Sequence, residues 1–101
     1  MNSFTVATTL ISQPIYNYSP DNISIATVFA KFYSPYEKED GTRSESQIKI
    51  VGWGKLAEII NSLTHGQQCI ISGRLRMNTV ERAEGFKEKR AELVAQSIYP
   101  I

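Results

Sequence analysis

The chain has 101 residues, of which 42% are hydrophobic and 21% are charged. This composition is typical of one small folded domain and excludes a disordered segment. No apolar run approaches the roughly 20 residues that a membrane helix needs, and the first residues lack the basic and apolar blocks of a signal peptide. The single cysteine, Cys69, excludes an internal disulfide. The formal net charge of +1 indicates no particular class of partner.

Alternating apolar and polar residues predict the first two strands. Residues 3–12 alternate and are rich in threonine, which is typical of a strand. Residues 15–18 are expected to form a short edge segment. The second strand is predicted over residues 23–33, with small apolar residues on the side that faces the core. Its other side carries two aromatic rings with a lysine between them, namely Phe29, Lys31 and Tyr33.

The stretch Lys49–Glu58 combines the end of a third strand with the start of a helix. The isoleucines of this strand face one side, whereas Lys49 and Trp53 face the other. The helix is predicted from apolar residues at helical spacing, and it is expected to end at His65–Gly66. A large aromatic ring beside a lysine, opposite the apolar side, suits a flat and negatively charged partner. The apolar helix positions are Leu56, Ile59, Ile60 and Leu63.

Two hairpins complete the predicted elements. Asp40–Gly41 marks the tip between the second and third strands, and residues 78–86 read as a second long hairpin loop. Between them lies a fourth strand over residues 68–77, in which Gly73 indicates a bend or a close backbone approach. The last strand is predicted over residues 87–98. Residues expected to face the core are Cys69, Ile71, Leu75 and Met77 on the fourth strand, and Ala91, Leu93 and Ala95 on the last.

The charge is local rather than global. Residues 74–90 hold six bases against three acids, whereas residues 37–45 hold four acids against two bases. The element order is strand, strand, strand, helix, strand, strand, with two long polar hairpin loops. This order predicts an all-β fold with one helix: an OB-fold, which is a five-stranded Greek-key barrel, with the helix between strands 3 and 4.

Several motifs of the chain resemble bacterial single-stranded DNA-binding proteins. They are Met1–Phe4, Trp53–Glu58 (Trp-Gly-Lys-Leu-Ala-Glu) and Gly73–Arg76 (Gly-Arg-Leu-Arg). Arg76–Thr79 and Glu84–Leu93 are most similar to the cyanobacterial and algal-plastid branch. The resemblance implies a single OB-fold domain over residues 1–101, without the acidic C-terminal tail of typical members, either because the protein has none or because it was removed.

The resemblance also implies which residues contact DNA. Trp53 matches a stacking aromatic, and Tyr36 matches another in the loop between the second and third strands. Two further aromatic positions of the family are occupied by Gln47 and Val80. Loss of two platforms at about 1–3 kcal/mol each would weaken binding, unless other rings or oligomerisation compensate. The candidate DNA-binding residues are Trp53, Tyr36, Lys49, Arg74, Arg76, Arg82, Phe86, Lys87, Phe29 and Lys31.

Structural alternatives apply to these residues. Trp53 could be a half-buried core residue, and the arginines could be solubilising. Arg74 could instead serve a subunit interface together with Ile70 and Ser72. Cys69 is expected in the core, and His65 has no second His or Cys pair for a metal site. We therefore expect no enzyme activity, no metal and no cofactor.

Two functions are compatible with these features. The first is sequence-independent single-stranded DNA binding in replication, recombination and repair by a homo-oligomer, with a tetramer favoured over a dimer. The alternative is a tailless OB-fold adaptor of a replication-restart (primosome-like) complex with weaker DNA binding, in which replication proteins are partners. Either protein would have no membrane partner and would act in the cytoplasm at the nucleoid, or in the plastid stroma if it is plastid-encoded.

Overall fold

A computed structural model of the protein describes residues 3–81 and 83–101, apart from the side chains of residues 34–36 and 80. The observed order of elements confirms the predicted one, with the segment at residues 15–18 forming an additional short edge strand. The elements are β1 (Phe4–Leu10), β2 (Ile15–Tyr18), β3 (Ser24–Glu37), β4 (Arg43–Trp53), α1 (Lys55–Asn61), β5 (Gln68–Glu81) and β6 (Lys87–Pro100).

Five of the described strands close into a barrel. They are hydrogen-bonded in the order β1-β5-β6-β4-β3, and pairing of β1 with β3 closes the ring, while β2 lies along the outer edge of β3. All these pairs are antiparallel except β4 and β6, which run parallel over three register pairs, from Lys49–Glu92 to Val51–Val94. Closure removes the exposed edges of the short strands. The predicted all-β class and OB-fold are confirmed.

The core fills the barrel and lies beneath the helix. Val28, Ile50 and Leu93 alternate inward on neighbouring strands and are fully buried. The helix adds Ile60, which is also fully buried and approaches the backbone of β4 at Gly52. A Cβ atom at Gly52 would lie 2.7 Å from Ile60 Cδ1, so the absent side chain lets the helix pack closely against the sheet.

The helix is shorter than predicted. It ends at Asn61 rather than at His65–Gly66. Ser62 caps it, because its hydroxyl and its backbone N–H both donate to the carbonyl of Ile59, at 2.6 and 3.1 Å. The remaining residues form a turn in which the Gly66 N–H donates to the Leu10 carbonyl at 2.8 Å. The predicted glycine stop therefore returns the chain to β1 instead of ending the helix.

The prediction that Gly73 marks a close backbone approach is confirmed. A Cβ atom at this position would collide with the backbone carbonyl of Val94 on the neighbouring strand. The register between the two strands shifts at the same point, because Ser72 pairs with Ser97 but Gly73 pairs with Ala95. This bulge on β6 reverses which alternate positions of the strand face the core. After the bulge, Ile98 is the residue that is buried.

The β5/β6 hairpin is longer than predicted, and part of it carries no core. The predicted loop over residues 78–86 is too long, because β5 continues to Glu81, whereas β6 begins at Lys87 as predicted. Met77 and Ala91, which were expected in the core, face each other across the hairpin but are exposed. The reason is that β6 pairs with β4 only from Glu92 onward. Before Glu92 the hairpin projects beyond the barrel, and the exposure of Met77 and Ala91 shows that no residue that the structure describes covers its inner side.

The β3/β4 hairpin projects in the same way. Both strands continue past the barrel, and the chain turns at Asp40–Gly41, as predicted. The Gly41 N–H donates to the Lys38 carbonyl at 2.9 Å, and the Asp40 carboxylate accepts from the Thr42 backbone N–H at 3.0 Å. The barrel therefore carries two hairpin arms, and the outer face of the sheet lies below them.

Candidate nucleic-acid interface

One row of residues crosses the outer face of four strands. Phe29 on β3 is the register partner of Lys49 on β4, and Lys49 is the partner of Glu92 on β6. Glu92 is in turn the partner of Arg76 on β5. Strand alternation places all four on the side opposite the core, because Val28, Ile50 and Leu93 point inward. The barrel thus aligns an aromatic ring, two cations and one carboxylate.

Glu92 binds the cations on both sides of it. Its carboxylate oxygens lie 3.1 Å from Lys49 Nζ and 2.9 Å from Arg76 Nε. Only 2% of Glu92 is exposed. Burial alone would raise the pKa of the Glu92 carboxyl, but hydrogen bonds and charge from Arg76 and Lys49 outweigh it and hold the pKa below its usual value. Glu92 is therefore an ionised carboxylate that links three strands.

Trp53 completes this cluster from the end of β4. The central carbon of the Arg76 guanidinium lies 5.3 Å from the centroid of the indole ring, which is within the range of a cation–π interaction. The next residue, Gly54, fixes the end of the strand, because its N–H donates to the Ser24 carbonyl at 2.9 Å. Trp53 itself is half-buried. We call Lys49, Trp53, Arg76 and Glu92 the central cluster.

A cleft opens beside the central cluster, where β4 and β6 separate. The two strands pair only from Lys49–Glu92 onward, and they diverge toward the tips of the hairpin arms. The cleft has a volume of about 380 Å³. Its polar and aromatic walls are formed by Phe29, Gln47, Lys49, Asn78, Arg90 and Glu92. An apolar ring next to amide and cationic groups suits a ligand with both a flat surface and polar edges.

Four of the predicted site residues lie together on this face. They are Phe29, Lys49, Trp53 and Arg76, brought together by the register of β3, β4, β5 and β6. Arg74 is exposed on β5, where it pairs with Val94 one row further along. Lys31 is the partner of Gln47 and makes an ion pair with Glu45 at 3.5 Å.

The other predicted site residues belong to the hairpin arms. Phe86 is 56% exposed at the turn between β5 and β6, and Lys87 begins β6. These two are separated from the central cluster by the length of the arm. The side chain of Tyr36 and the whole of Arg82 lie outside the described residues, as does the side chain of Val80. Gln47 is exposed and lines the cleft.

Sequence reasoning missed Glu92. Its residue type and parity place it among the outward polar positions of β6, where a solvated carboxylate is the ordinary interpretation. Only the register with Lys49 and Arg76 reveals the cluster, and that register depends on a parallel pairing between Lys49 and Glu92, which are 43 positions apart in the sequence. The outward parity of Glu92, next to the inward Leu93, is the one signal that the sequence gives for it.

The structure offers no other chemical centre among the residues it describes. Cys69 is fully buried in the core, as predicted, and burial raises the pKa of its thiol. Over residues 3–81 and 83–101, no three His, Cys, Asp or Glu side chains are grouped to hold a metal ion. No helix within the same residues has the length and apolarity to cross a membrane.

A closed OB barrel with a cation, an indole ring and an open cleft on its outer face is the architecture of an oligonucleotide-binding domain. The chain belongs to the single-strand binding protein family, whose model it matches over residues 1–101. Membership in a family of binding proteins also confirms the prediction that the protein is not an enzyme.

Individual relatives agree with this assignment. A thylakoid-associated single-stranded DNA-binding protein of Synechocystis is 42% identical over 99 residues, which cover 97% of this chain and 74% of the relative. The predicted similarity to the cyanobacterial branch is thus confirmed. Other bacterial single-stranded DNA-binding proteins are 25% to 27% identical, and the chain spans only 58% to 69% of their length.

Solved structures give the same fold. The SSB domain of a Synechococcus protein superposes with a TM-score of 0.74 at 25% identity, covering 98% of this chain and 94% of that one. The protein priB from Ralstonia solanacearum has a TM-score of 0.75 at 17% identity, covering 100% of this chain and 99% of that one. At 17% identity the second likeness shows the fold alone.

Proposed function

We propose that the protein binds single-stranded DNA without sequence preference, with the central cluster as the main contact for bases. The observation that carries this proposal is the Trp53 ring beside Arg76, whose partner Glu92 also binds Lys49, on the outer face of an OB barrel. A stacking ring accepts any base, because every base has a flat π surface. The single-stranded DNA-binding proteins among its relatives support the same ligand.

Bases and phosphates are contacted by different residues in this proposal. Trp53 and Phe29 stack on bases, and Tyr36 and Phe86 add rings from the hairpin arms. Phosphates are neutralised by cations around the face and on the arms. These cations are Arg74, Lys31 and Lys87, together with Lys49 and Arg76 as far as their pairing with Glu92 allows. The resemblance to the family adds Arg82, which lies outside the described residues. Exposed rings and separate cations are the usual combination for sequence-tolerant binding of single strands.

We also propose that a homo-oligomer binds the strand. Gln47 and Val80 occupy positions at which a ring would add about 1–3 kcal/mol per base, so one subunit alone would bind weakly. Several subunits on one strand would restore the affinity. A candidate contact surface is the outer side of β1, β5 and β6, where Ile70 pairs with Tyr99 and both are exposed, at 39% and 63%.

The direct test is a titration of oligo-dT followed by fluorescence. Trp53 is the only tryptophan of the chain, so its emission reports on one position. Stacking of a base should quench this emission. The affinity should also fall with salt, and a plot of log affinity against log salt should have a slope of about −0.7 for each phosphate neutralised. Unchanged emission at low salt, at protein and DNA concentrations well above micromolar, contradicts the proposal.

The matching variants are Trp53→Ala and Tyr18→Ala. Tyr18 is 63% exposed on the edge strand β2, and it has the parity of Tyr16, which packs against the core, so it does not share the face of Trp53. The centroid of its ring lies 5.6 Å from that of Tyr16. Trp53→Ala should lose affinity without a change in salt dependence, whereas Tyr18→Ala should bind like the wild type. Circular dichroism of both variants checks that the barrel is intact. Equal losses in the two variants would assign the effect to folding.

The alternative function is that of an OB-fold adaptor in a replication-restart complex, with weaker DNA binding. The near-neutral charge and the two missing rings favour it, and the priB fold is compatible with it. Solution mass separates the candidates, because a stable tetramer favours the DNA-binding proposal and a dimer favours the adaptor. Roles in replication, recombination and repair, and a location in the cytoplasm or plastid stroma, belong to the same proposal.

A further inference from the structure

We propose that Glu92 is a positioning residue of the DNA-binding face: it holds the Arg76 guanidinium over the Trp53 ring, so that the two side chains form one preassembled platform for a base. This inference rests on the proposed function. Residues that contact DNA are usually positively charged, whereas Glu92 is negatively charged. Two ion pairs, and not contact with the ligand, fix the position of Glu92 on the face.

The geometry around Glu92 constrains Arg76 at two points. Arg76 Nε donates to Glu92 Oε1 at 2.9 Å, and the guanidinium carbon lies 5.3 Å from the Trp53 ring centroid. An arginine side chain on a strand has several rotatable bonds and would otherwise sample many positions. The second carboxylate oxygen of Glu92 contacts Lys49 at 3.1 Å, so the carboxylate is held from both sides.

The exposure of the three side chains shows which of them is fixed. The Glu92 side chain is 3% exposed, whereas those of Arg76 and Lys49 are 51% and 38% exposed. The carboxylate therefore lies beneath its two partners, and the cations cover it while still facing solvent. A ligand that reaches this face therefore meets mainly the guanidinium and the ring, because the two cations cover almost all of the carboxylate.

The two ion pairs also determine the net charge at the centre of the face. One carboxylate is shared by two cations, so the centre of the face holds a net charge of about one positive unit instead of two. Arg76 directs its Nε to Glu92, and its guanidinium carbon lies over the Trp53 ring, so only part of the guanidinium remains for a phosphate. In this arrangement Arg76 acts mainly through stacking, and most of the salt dependence of binding comes from other cations.

The decisive experiment is a salt series of oligo-dT binding with Glu92→Gln. A plot of log affinity against log salt separates a slope, which counts neutralised phosphates, from an intercept at 1 M salt, which reports non-electrostatic contacts. We expect the intercept to fall by about three- to tenfold as the guanidinium leaves the ring. We also expect the slope to steepen by about 0.7, because the released cation can reach a phosphate.

The control is Glu88→Gln. Glu88 lies four residues away on the same strand and is paired with Arg90 at 3.4 Å, at the exposed surface. The Glu88→Gln variant removes the same charge as Glu92→Gln, but it changes no contact to Arg76 that the structure describes. Its intercept should stay within about twofold of the wild type. An unchanged intercept in Glu92→Gln, or an equal fall in both variants, overturns the positioning role.

Three further variants test whether Glu92 acts through Arg76. Arg76→Lys keeps the charge and leaves the buried carboxylate paired, so the fold is retained even if Glu92→Gln is unstable. It should lower the intercept by about the same factor, because it loses the planar group that stacks. Adding Glu92→Gln to Arg76→Met should then change the intercept by less than about twofold. A full additional loss in the double variant, or wild-type binding by Arg76→Lys, overturns the proposal.

The free protein gives an independent readout. Quenching of Trp53 emission by acrylamide should increase in Glu92→Gln, because a ring without its guanidinium cover is more accessible. Absence of oligo-dT binding by the wild type would overturn the proposed function, and this inference with it. Binding by the wild type with unchanged quenching and an unchanged intercept in Glu92→Gln would overturn the inference alone.

Discussion

The central cluster and the hairpin arms both carry cations, but they hold them in different ways. In the centre, one carboxylate that is 2% exposed pairs with Lys49 and Arg76 at 3.1 and 2.9 Å. In the arms, the ion pairs Glu37–Arg43 and Glu88–Arg90 are 3.5 and 3.4 Å long, and their side chains are 40% to 61% exposed. Exposed pairs of this kind contribute about 0–1 kcal/mol, so the arms are held mainly by their backbone.

This difference follows from the sheet. In the centre, β4, β5 and β6 are neighbours in a closed barrel, and each side chain has a strand on both sides. In the arms, each hairpin is a two-stranded ribbon without a core, as the exposed Met77 and Ala91 illustrate. A rigid centre suits contacts with bases that need a fixed geometry, whereas the adaptable arms suit phosphates, which attract cations from many directions.

The largest expected effect comes from a comparison of glycines. Gly73→Ala places a Cβ atom against the Val94 carbonyl in the barrel wall, and we expect it to lower the free energy of unfolding by about 3 kcal/mol. Gly85→Ala at the arm tip meets nothing within 4 Å and is strained only by its φ of +89°, which costs about 1 kcal/mol. Urea denaturation measures both. Equal losses would mean that the arm is as constrained as the wall.

The second comparison concerns stacking. Trp53→Ala should weaken oligo-dT binding by about 1–3 kcal/mol, because it removes a platform that is fixed by the barrel. Phe86→Ala, at the 56% exposed tip of an arm, should cost less than about 1 kcal/mol, since the arm can move to other contacts. Anisotropy titrations at one salt concentration compare the two. A greater loss for Phe86 would place the main base contact on the arm.

The third prediction uses acid to test the buried carboxylate. The pKa of Glu92 in the folded protein lies below its ordinary value of 4.5, because the pull of Arg76 and Lys49 exceeds the effect of burial. The stability that ionised Glu92 contributes is therefore fully present above about pH 4.5 and is lost as the pH falls through the lower folded value. We expect Glu92→Gln to be less stable than the wild type by about 1–3 kcal/mol at pH 7.

The difference in stability between the two proteins should narrow as the pH falls below about 4.5. The measurement is urea denaturation at a series of pH values, with Glu88→Gln as the matched variant on the exposed part of β6. The Glu88 variant should differ from the wild type by less than about 0.5 kcal/mol throughout. A gap between wild type and Glu92→Gln that stays constant down to pH 3 would contradict the low pKa.

Much of the fold could be predicted from local patterns. Alternation identified the strands, and Asp40–Gly41 identified a tip, because both depend on neighbours in the sequence. Gly73 indicated a close approach for the same reason. The end of the helix was missed because a glycine stop and a later turn give the same local signal. The helix ends earlier, where Ser62 caps it, and the turn at Gly66 is fixed instead by a hydrogen bond to Leu10, which is distant in sequence.

The candidate site was predicted less completely than the fold. Trp53 and Lys49 could be assigned to the outer face from the parity of one strand. The position of Arg76 over Trp53 could not, because it depends on the order β4-β6-β5 and on the register of each pair. Glu92 was missed for this reason. Met77 and Ala91 show the same limit, since alternation predicts a facing direction but not whether another element covers it.

The smallest expected effect separates the cations of the two regions by their salt dependence. Lys87 begins β6 at the exposed end of an arm. Lys87→Met should therefore reduce the slope of log affinity against log salt by about 0.7, which corresponds to one phosphate.

Lys49 is paired with Glu92 at 3.1 Å, and neutralising Lys49 leaves the Glu92 carboxylate with one positive partner fewer. Lys49→Met should therefore reduce the slope by less than about 0.7, while the affinity at 1 M salt falls because the cluster is weakened. Titrations at four salt concentrations distinguish the two, and a larger slope change for Lys49 would assign the phosphate contact to the centre.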